Sequence, residues 1–272
     1  MTQTPSILQK IVATKRDEIA TAKKQITFYD LEQIAKDNAN DLRDFAGGLR
    51  DDSKHSIRII AEVKKASPSK GIIAPNFDPS RTAEGYQKAG ATCLSVLTDA
   101  QYFQGHNDYL IQARQACDLP ILRKDFMIEP YQIMQSRALK ADCILLIMAC
   151  LSDSQAVELH ALATELNMGV LIECHDKNEV ERALQLPSHA NNIYGINNRN
   201  LNTFEVSLDT TLQLRQLFPQ NSMLVTESGI HTADDVKLML NNDINCFLIG
   251  EQFMKTDDAG KALERLLNEA HA

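Results

Sequence analysis

Eight short apolar runs, each followed by a loop and a helical stretch, limit this chain more than any other feature of its sequence. The runs lie at residues 57–64, 93–97, 121–124, 143–149, 169–173, 193–197, 223–227 and 246–250. They are rich in Ile, Val and Leu and of strand length, as expected of strands covered on both faces. Between them, residues 81–88, 107–117, 130–139, 153–166, 177–186, 208–218 and 233–240 read as helices, and 259–270 closes the series. Strands that alternate with helices across short connections are parallel, with right-handed crossovers. Eight such units close a (β/α)8 barrel, a fold that uses roughly 250 residues, and the chain has 272. An open doubly wound sheet is the alternative. No GxGxxG follows the first run, which argues against a dinucleotide-binding version of it.

Residues 1–56 read as an N-terminal helical extension of a single domain spanning 1–272, since fifty-odd residues alone would struggle to hold a core. After Pro5-Ser6, Ile7, Leu8, Ile11, Val12 and Ile19 fall near helical spacing. The Lys and Arg of that helix are expected to form a solvated face. Shorter helical pieces are expected at 28–37 and 41–49.

Charge narrows the partners. Twenty-eight Lys and Arg against 36 Asp and Glu leave a net charge of −8. An acidic chain is a poor general nucleic-acid binder, so an anionic substrate needs a locally basic site. The six cysteines are scattered with no CxxC pair, which suits reduced thiols in the cytoplasm and argues against a metal site. The seven histidines, His55, His106, His160, His175, His189, His231 and His271, show no ligand spacing; most are expected at the surface or at helix caps. No signal core and no run of about eighteen apolar residues is present, so no membrane span is expected.

The functional signal lies at the ends of the runs. Side chains alternate along a strand, so Ile60, Glu62 and Lys64 share one face of the first. Burying a lone charge is costly, so a Glu and a Lys closing an apolar strand point to pairing or chemistry. Ser67-Pro68-Ser69-Lys70-Gly71 then offers hydroxyls, N–H groups and a cation, an inventory that suits phosphate. Polar groups close six more runs: Thr98-Asp99, Arg123-Lys124-Asp125, Glu173, Asn197-Asn198-Arg199, Glu227-Ser228-Gly229 and Gly250-Glu251. Active sites of this fold form at the C-terminal ends of the strands, with phosphate held after strands seven and eight. Lys64, Lys124, Glu62 and Glu173 would then meet in one mouth, where burial and opposite charge tune proton affinity. Two other readings of these residues stand beside acid–base catalysis. One is a phosphosugar aldolase or isomerase with Lys124 as a Schiff-base nucleophile; the other is a non-catalytic phosphosugar-binding barrel.

Taken in order, AEVKKASPSKG (61–71), LTDAQYFQG (97–105), LPILRKDF (119–126), LIECH (171–175), GINNRNL (195–201), ESGI (227–230) and LIGE (248–251) resemble the indole-3-glycerol-phosphate synthase family. The likeness runs over nearly the whole chain, including ILQKIVATKRDEIA in the N-terminal extension. It implies a (β/α)8 lyase of tryptophan biosynthesis that closes an indole ring with loss of CO2 and water, without cofactor or metal. It implies Lys124 as the acid at the carbonyl oxygen, with Glu173, Lys64 and Glu62 in the later steps, undivided among them. Asn197 and Arg199 match positions that hold polar groups and the carboxylate end of the substrate. Ser67, Ser228, Gly229, Gly250 and Glu251 match the phosphate region, Glu251 through its backbone N–H. Phe103, Phe126, Leu145 and Leu201 match the apolar pocket for the anthranilate ring. Because the chain ends after one barrel, a monofunctional enzyme is expected, as monomer or weak homodimer.

Overall fold

Alternation along eight strands sorts the apolar side chains into two cores. The computed structural model describes residues 6–51 and 56–272. Of the expected N-terminal extension, residues 1–5 and 52–55, His55 among them, lie outside the described residues. The barrel strands are β1 (Arg58–Val63), β2 (Cys93–Leu97), β3 (Ile121–Lys124), β4 (Cys143–Ile147), β5 (Gly169–Cys174), β6 (Asn192–Asn197), β7 (Leu224–Glu227) and β8 (Cys246–Ile249). All are parallel and pair in chain order. β1 closes on β8 from Arg58↔Cys246 to Ala61↔Ile249, making a closed barrel. In β1, Ile59, Ala61 and Val63 pack outward against the helices. Ile60 instead joins Leu122, Leu145, Leu171, Ile193, Val225 and Leu248 around the axis. This period of two is what places a chosen residue inside or outside the barrel.

Three helices precede the barrel: α1 (Ser6–Gln25), α2 (Phe28–Asp37) and α3 (Phe45–Arg50). The piece expected at 41–49 is split, because the Asp44 side chain accepts from Gly47 N and starts α3 afresh. Phe45, Ala46 and Leu49 of α3 enter the axial core. Their end of it is the start of the strands, where the Cys93 and Cys246 thiols approach the Phe45 and Leu49 carbonyls. Leu8 and Ile11 of α1 join the same core at the opposite end, over the strand C-termini. The extension therefore seals one end of the barrel and walls the other.

The helices of the barrel are α4 (Pro79–Lys88), α5 (Ala100–Phe103), α6 (Asn107–Ala116), α7 (Pro130–Ala138), α8 (Asp153–Glu165), α9 (Lys177–Ala183), α10 (Asp209–Leu214), α11 (Ala233–Leu240), α12 (Glu251–Met254) and α13 (Ala259–His271). The helix expected at 208–218 is α10 followed by a 3-10 turn, Arg215–Leu217. The sequence pattern gave no warning of α5, of α12, or of the small ribbon pairing Ala66–Ser67 with Gly71–Ile72. All three follow strand ends and are too short for a periodic signal. No helix among the described residues is long and apolar enough to cross a membrane.

One expectation for α1 is corrected. Lys15 belongs to the face read as solvated, yet it is 3% exposed. Its ammonium lies 3.0 Å from Asp99 Oδ2, 2.8 Å from Asp125 Oδ1 and 2.6 Å from Glu18 Oε2. Burial disfavours the charge, but the carboxylates of Asp125 and Asp99 outweigh it and raise the Lys15 pKa. A buried cation is tolerated where it is fully paired, and losing one partner strands the others. Asp99 Oδ1 also caps α5 by accepting from Tyr102 N and Phe103 N, and Asp125 accepts from Phe126 N. Lys15 thus ties α1 to the two loops that carry Phe103 and Phe126. Lys15→Met is expected to lower the unfolding free energy by about 3–5 kcal/mol, read from urea titrations of both proteins. A loss under about 1 kcal/mol would show that the cluster contributes nothing beyond an exposed pair.

Candidate active site

Six of the eight inward-facing rows of the barrel begin apolar and end in polar residues or glycine, while those of β2 and β4 end apolar at Leu97 and Ile147. Ile60 is followed by Glu62 and Lys64, Leu122 by Lys124, Leu171 by Glu173, Ile193 by Gly195 and Asn197, Val225 by Glu227, and Leu248 by Gly250. The ends of these rows meet in a cavity of about 200 Å³ under α1. All fifteen residues singled out from the sequence line it: Glu62, Lys64, Ser67, Phe103, Lys124, Phe126, Leu145, Glu173, Asn197, Arg199, Leu201, Ser228, Gly229, Gly250 and Glu251.

Lys124 is the centre of the charged floor. Its Nζ donates to Glu227 Oε2 at 2.6 Å and to Glu173 Oε2 at 3.3 Å. Burial works against its charge, but Glu227, Glu173 and Glu62 together raise its pKa well above that of a free lysine. The two carboxyls diverge. Burial and the neighbouring Glu173 charge push Glu227 up, against the pull of Lys124. Glu173 is also penalised by burial, yet Lys124 and His175 hold it well below the usual carboxylate range. The shared ammonium thus sits beside one carboxyl favoured as the carboxylate, Glu173, and one pushed toward its protonated form, Glu227. Across the floor, Lys64 Nζ donates to Glu62 Oε1 at 2.5 Å.

Two glycines make room for this cluster. A Cβ on Gly195 would collide with Glu227 Oε1, and one on Gly250 with the Glu62 carboxylate. Gly250 was expected to allow close approach of an anion; its missing side chain also leaves the space that Glu62 fills. Gly250 opens α12 with no side-chain cap, so the first N–H groups of that turn are not taken by a side chain. Beside it, Ser228 and Gly229 both have positive φ, at 64° and 89°. The Ser228 hydroxyl donates to Asn197 Oδ1 at 3.0 Å, and Asn198 Nδ2 donates to Ser228 O at 3.0 Å. The buried Ser67 hydroxyl oxygen has no hydrogen-bond partner among the described residues and lines the same edge. Arg199 reaches over the rim to Glu251 at 3.8 Å.

The other wall is apolar. Phe103 and Phe126 stand with ring centroids 6.1 Å apart at 39°, and Leu145, Ile147, Leu97 and Leu201 continue the surface. Ile7, Leu8 and Ile11 of α1 complete it. Sequence reasoning placed those three on an apolar helix face but not in the cavity. It also noted Glu227 at a strand end without ranking it; the parity Val225, Glu227 was the available signal. His175, one of the seven histidines of which most were expected at the surface or at caps, lies between Glu173 and Glu179. His160 is buried, 2.7 Å from Asn192 Oδ1. Not every polar strand end serves the cavity. Arg123 turns outward to Thr98, Ser136 and Gln135, and Asp99 belongs with Lys15.

Fold and cavity define the chain as a (β/α)8 barrel with a candidate active site at the strand C-termini. Solved structures agree on the fold. The alpha subunit of tryptophan synthase from Legionella pneumophila superposes with a TM-score of 0.61 at 14% identity, over 85% of this chain and 99% of that one. KGPDC from Streptococcus mutans does so at 0.60 and 10% identity, over 79% and 98%. Sequence comparison is narrower. The indole-3-glycerol phosphate synthase family model matches residues 8–266. The indole-3-glycerol phosphate synthase of Laribacter hongkongensis is 52% identical over 262 residues, covering 96% of this chain and 98% of the relative. That of Polaromonas naphthalenivorans is 53% identical over 266 residues, covering 97% and 99%. The chain belongs to the indole-3-glycerol phosphate synthase family.

Proposed function

We propose that the cavity closes the pyrrole ring of 1-(2-carboxyphenylamino)-1-deoxyribulose 5-phosphate, giving indole-3-glycerol phosphate, CO2 and water. Family membership supports the reaction, and the observation that carries the division of roles is the Lys124 ammonium held between Glu173 and Glu227. The anthranilate ring fits against Phe103, Phe126, Leu145 and Leu201, where apolar and edge contacts are available. The phosphate lies toward Ser67, Ser228, Gly229 and the N–H groups after Gly250, with Glu251 contributing its backbone. Arg199 and Asn197 hold the polar middle and the carboxylate end.

The aromatic carbon bearing the carboxylate attacks the ribulosyl carbonyl carbon while Lys124 protonates the carbonyl oxygen. Loss of CO2 leaves its electron pair to restore the arene. Lys64 then protonates the departing hydroxyl, held in place by Glu62, and Glu173 takes the proton from the carbon next to nitrogen. Two protons are given and one is taken, so one is consumed overall, as decarboxylation of a carboxylate requires. Glu227, uncharged, accepts a hydrogen bond from Lys124 and fixes it. The same environment weighs against a Schiff base, which needs a neutral amine as nucleophile; the three carboxyls keep Lys124 protonated.

The test is direct. The protein and the carboxyphenylamino substrate should generate an indole, read by its emission against a chain with no tryptophan. No indole product would overturn the reading. The phosphate placement has its own check. Ser228→Phe is expected to raise KM roughly tenfold or more and to abolish competition by inorganic phosphate, because the bulk displaces charge-assisted contacts. An unchanged inhibition constant for phosphate would contradict the placement.

A further inference from the structure

β5 does not stop at Glu173. Two residues on, the His175 backbone N–H donates to Glu179 Oε2 at 2.8 Å, and ring Nδ1 meets the same oxygen at 3.0 Å. Glu179 is fixed in the first turn of α9, where its own N–H donates to Asp176 Oδ1 at 2.9 Å. The other ring nitrogen, Nε2, stands 3.3 Å from Glu173 Oε1, a charge contact and not an aligned hydrogen bond. Glu173 thus faces a basic nitrogen from each oxygen, His175 Nε2 at Oε1 and Lys124 Nζ at Oε2. Glu227 touches Lys124 through Oε2, and its buried Oε1 has no hydrogen-bond partner among the described residues.

We propose that His175 is a positioning residue that keeps Glu173, and not Glu227, as the proton-accepting carboxylate of the cavity. The inference rests on the ring-closure reading above. Carboxylate oxygens only accept, and a neutral imidazole has one N–H, so a ring facing two carboxylates is satisfied as imidazolium. Burial opposes that charge, but Glu173 and Glu179 outweigh it and raise the His175 pKa to about 10. The other groups around the pair are accounted for. The Cys150 thiol stays protonated through burial and the nearby Glu173 and Glu179. Arg182 is engaged with Asp153 and the carbonyls of Met148 and Leu151. Arg199 turns to Glu251, and Asp176 caps α9. Two carboxyls that share one ammonium are near-equivalent; a second cation on one of them decides which holds the proton.

His175→Gln removes the charge and keeps a hydrogen-bonding side chain. kcat at neutral pH is expected to fall about tenfold with KM within about threefold. The diagnostic readout is the acid limb of the kcat profile, expected to rise by about one pH unit because Glu173 then binds its proton more tightly. Glu179→Gln keeps the ring and weakens its charge, so it shifts the limb the same way by less. If His175→Gln does not fold, Glu179→Gln decides. An active parent whose acid limb moves in neither variant overturns the proposal, and so does lower activity with an unmoved limb. A parent that makes no indole overturns the ring-closure reading instead.

Discussion

Lys124→Ala is expected to cut kcat by a hundredfold or more, with a smaller change in KM, since positioned acids typically contribute about 10²–10⁴-fold. The side chain is central to the floor and cannot be replaced from its surroundings. Of the described side chains that its ammonium contacts, Glu227 is the one pushed toward the protonated form, and that carboxyl faces the space Lys124 occupies. Removing the ammonium also changes what the carboxyls do. Without it, burial raises Glu227 with no cation left to oppose it, while Glu173 keeps only His175. A folded state that binds more protons than the unfolded chain loses stability as pH rises. The variant should therefore unfold at lower urea at about pH 8 than at about pH 5, a trend that far-UV dichroism follows. Turnover within about threefold of the parent would remove Lys124 from the chemistry. Borohydride trapping of a substrate adduct on Lys124 in the parent would replace acid catalysis with a Schiff base.

The barrel and the floor of the cavity were legible because both rest on strand parity. Counting by two from Ile60 leads to Glu62 and Lys64, and from Leu122 to Lys124, with no knowledge of the third dimension. Parity was read less completely from Val225 to Glu227, because Ser228-Gly229 beside it carried the stronger phosphate signal. What parity does not encode is what lies over the mouth. An apolar helix face such as Ile7, Leu8 and Ile11 shows that a helix is buried, not against which surface. Lys15 read as solvated because a helical cation whose local partner is an i+3 carboxylate, here Glu18, usually is. Its other partners, Asp99 and Asp125, lie 84 and 110 residues further on. The same blindness hid His175: Glu173 and Glu179 are close in sequence, but only the turn from β5 into α9 brings both carboxylates to one ring. Gly195 and Gly250 needed the structure for a different reason. Their requirement comes from carboxylates that cross from neighbouring strands.

Glu173 and Glu227 are the same side chain in the same cavity, and their amide variants are expected to differ sharply. Glu173→Gln keeps the size and removes the base, so kcat should fall by about a hundredfold or more. Lys124 keeps an acceptor in the new amide oxygen, which means KM and folding should change little. Glu227→Gln replaces a carboxyl that burial and Glu173 push toward its protonated form. The amide oxygen still accepts from Lys124 Nζ, and the loss should stay near tenfold or below. The pH profiles separate the two further. Glu227 titrates above the ordinary carboxylate range, so the parent should lose activity on the alkaline side as a second negative charge forms beside Glu173. Glu227→Gln should lack that limb. Glu173→Gln should keep it, at a rate low throughout. Equal losses in the two variants, with the alkaline limb intact in Glu227→Gln, would mean that the protonation states are reversed and that Glu227 is the base.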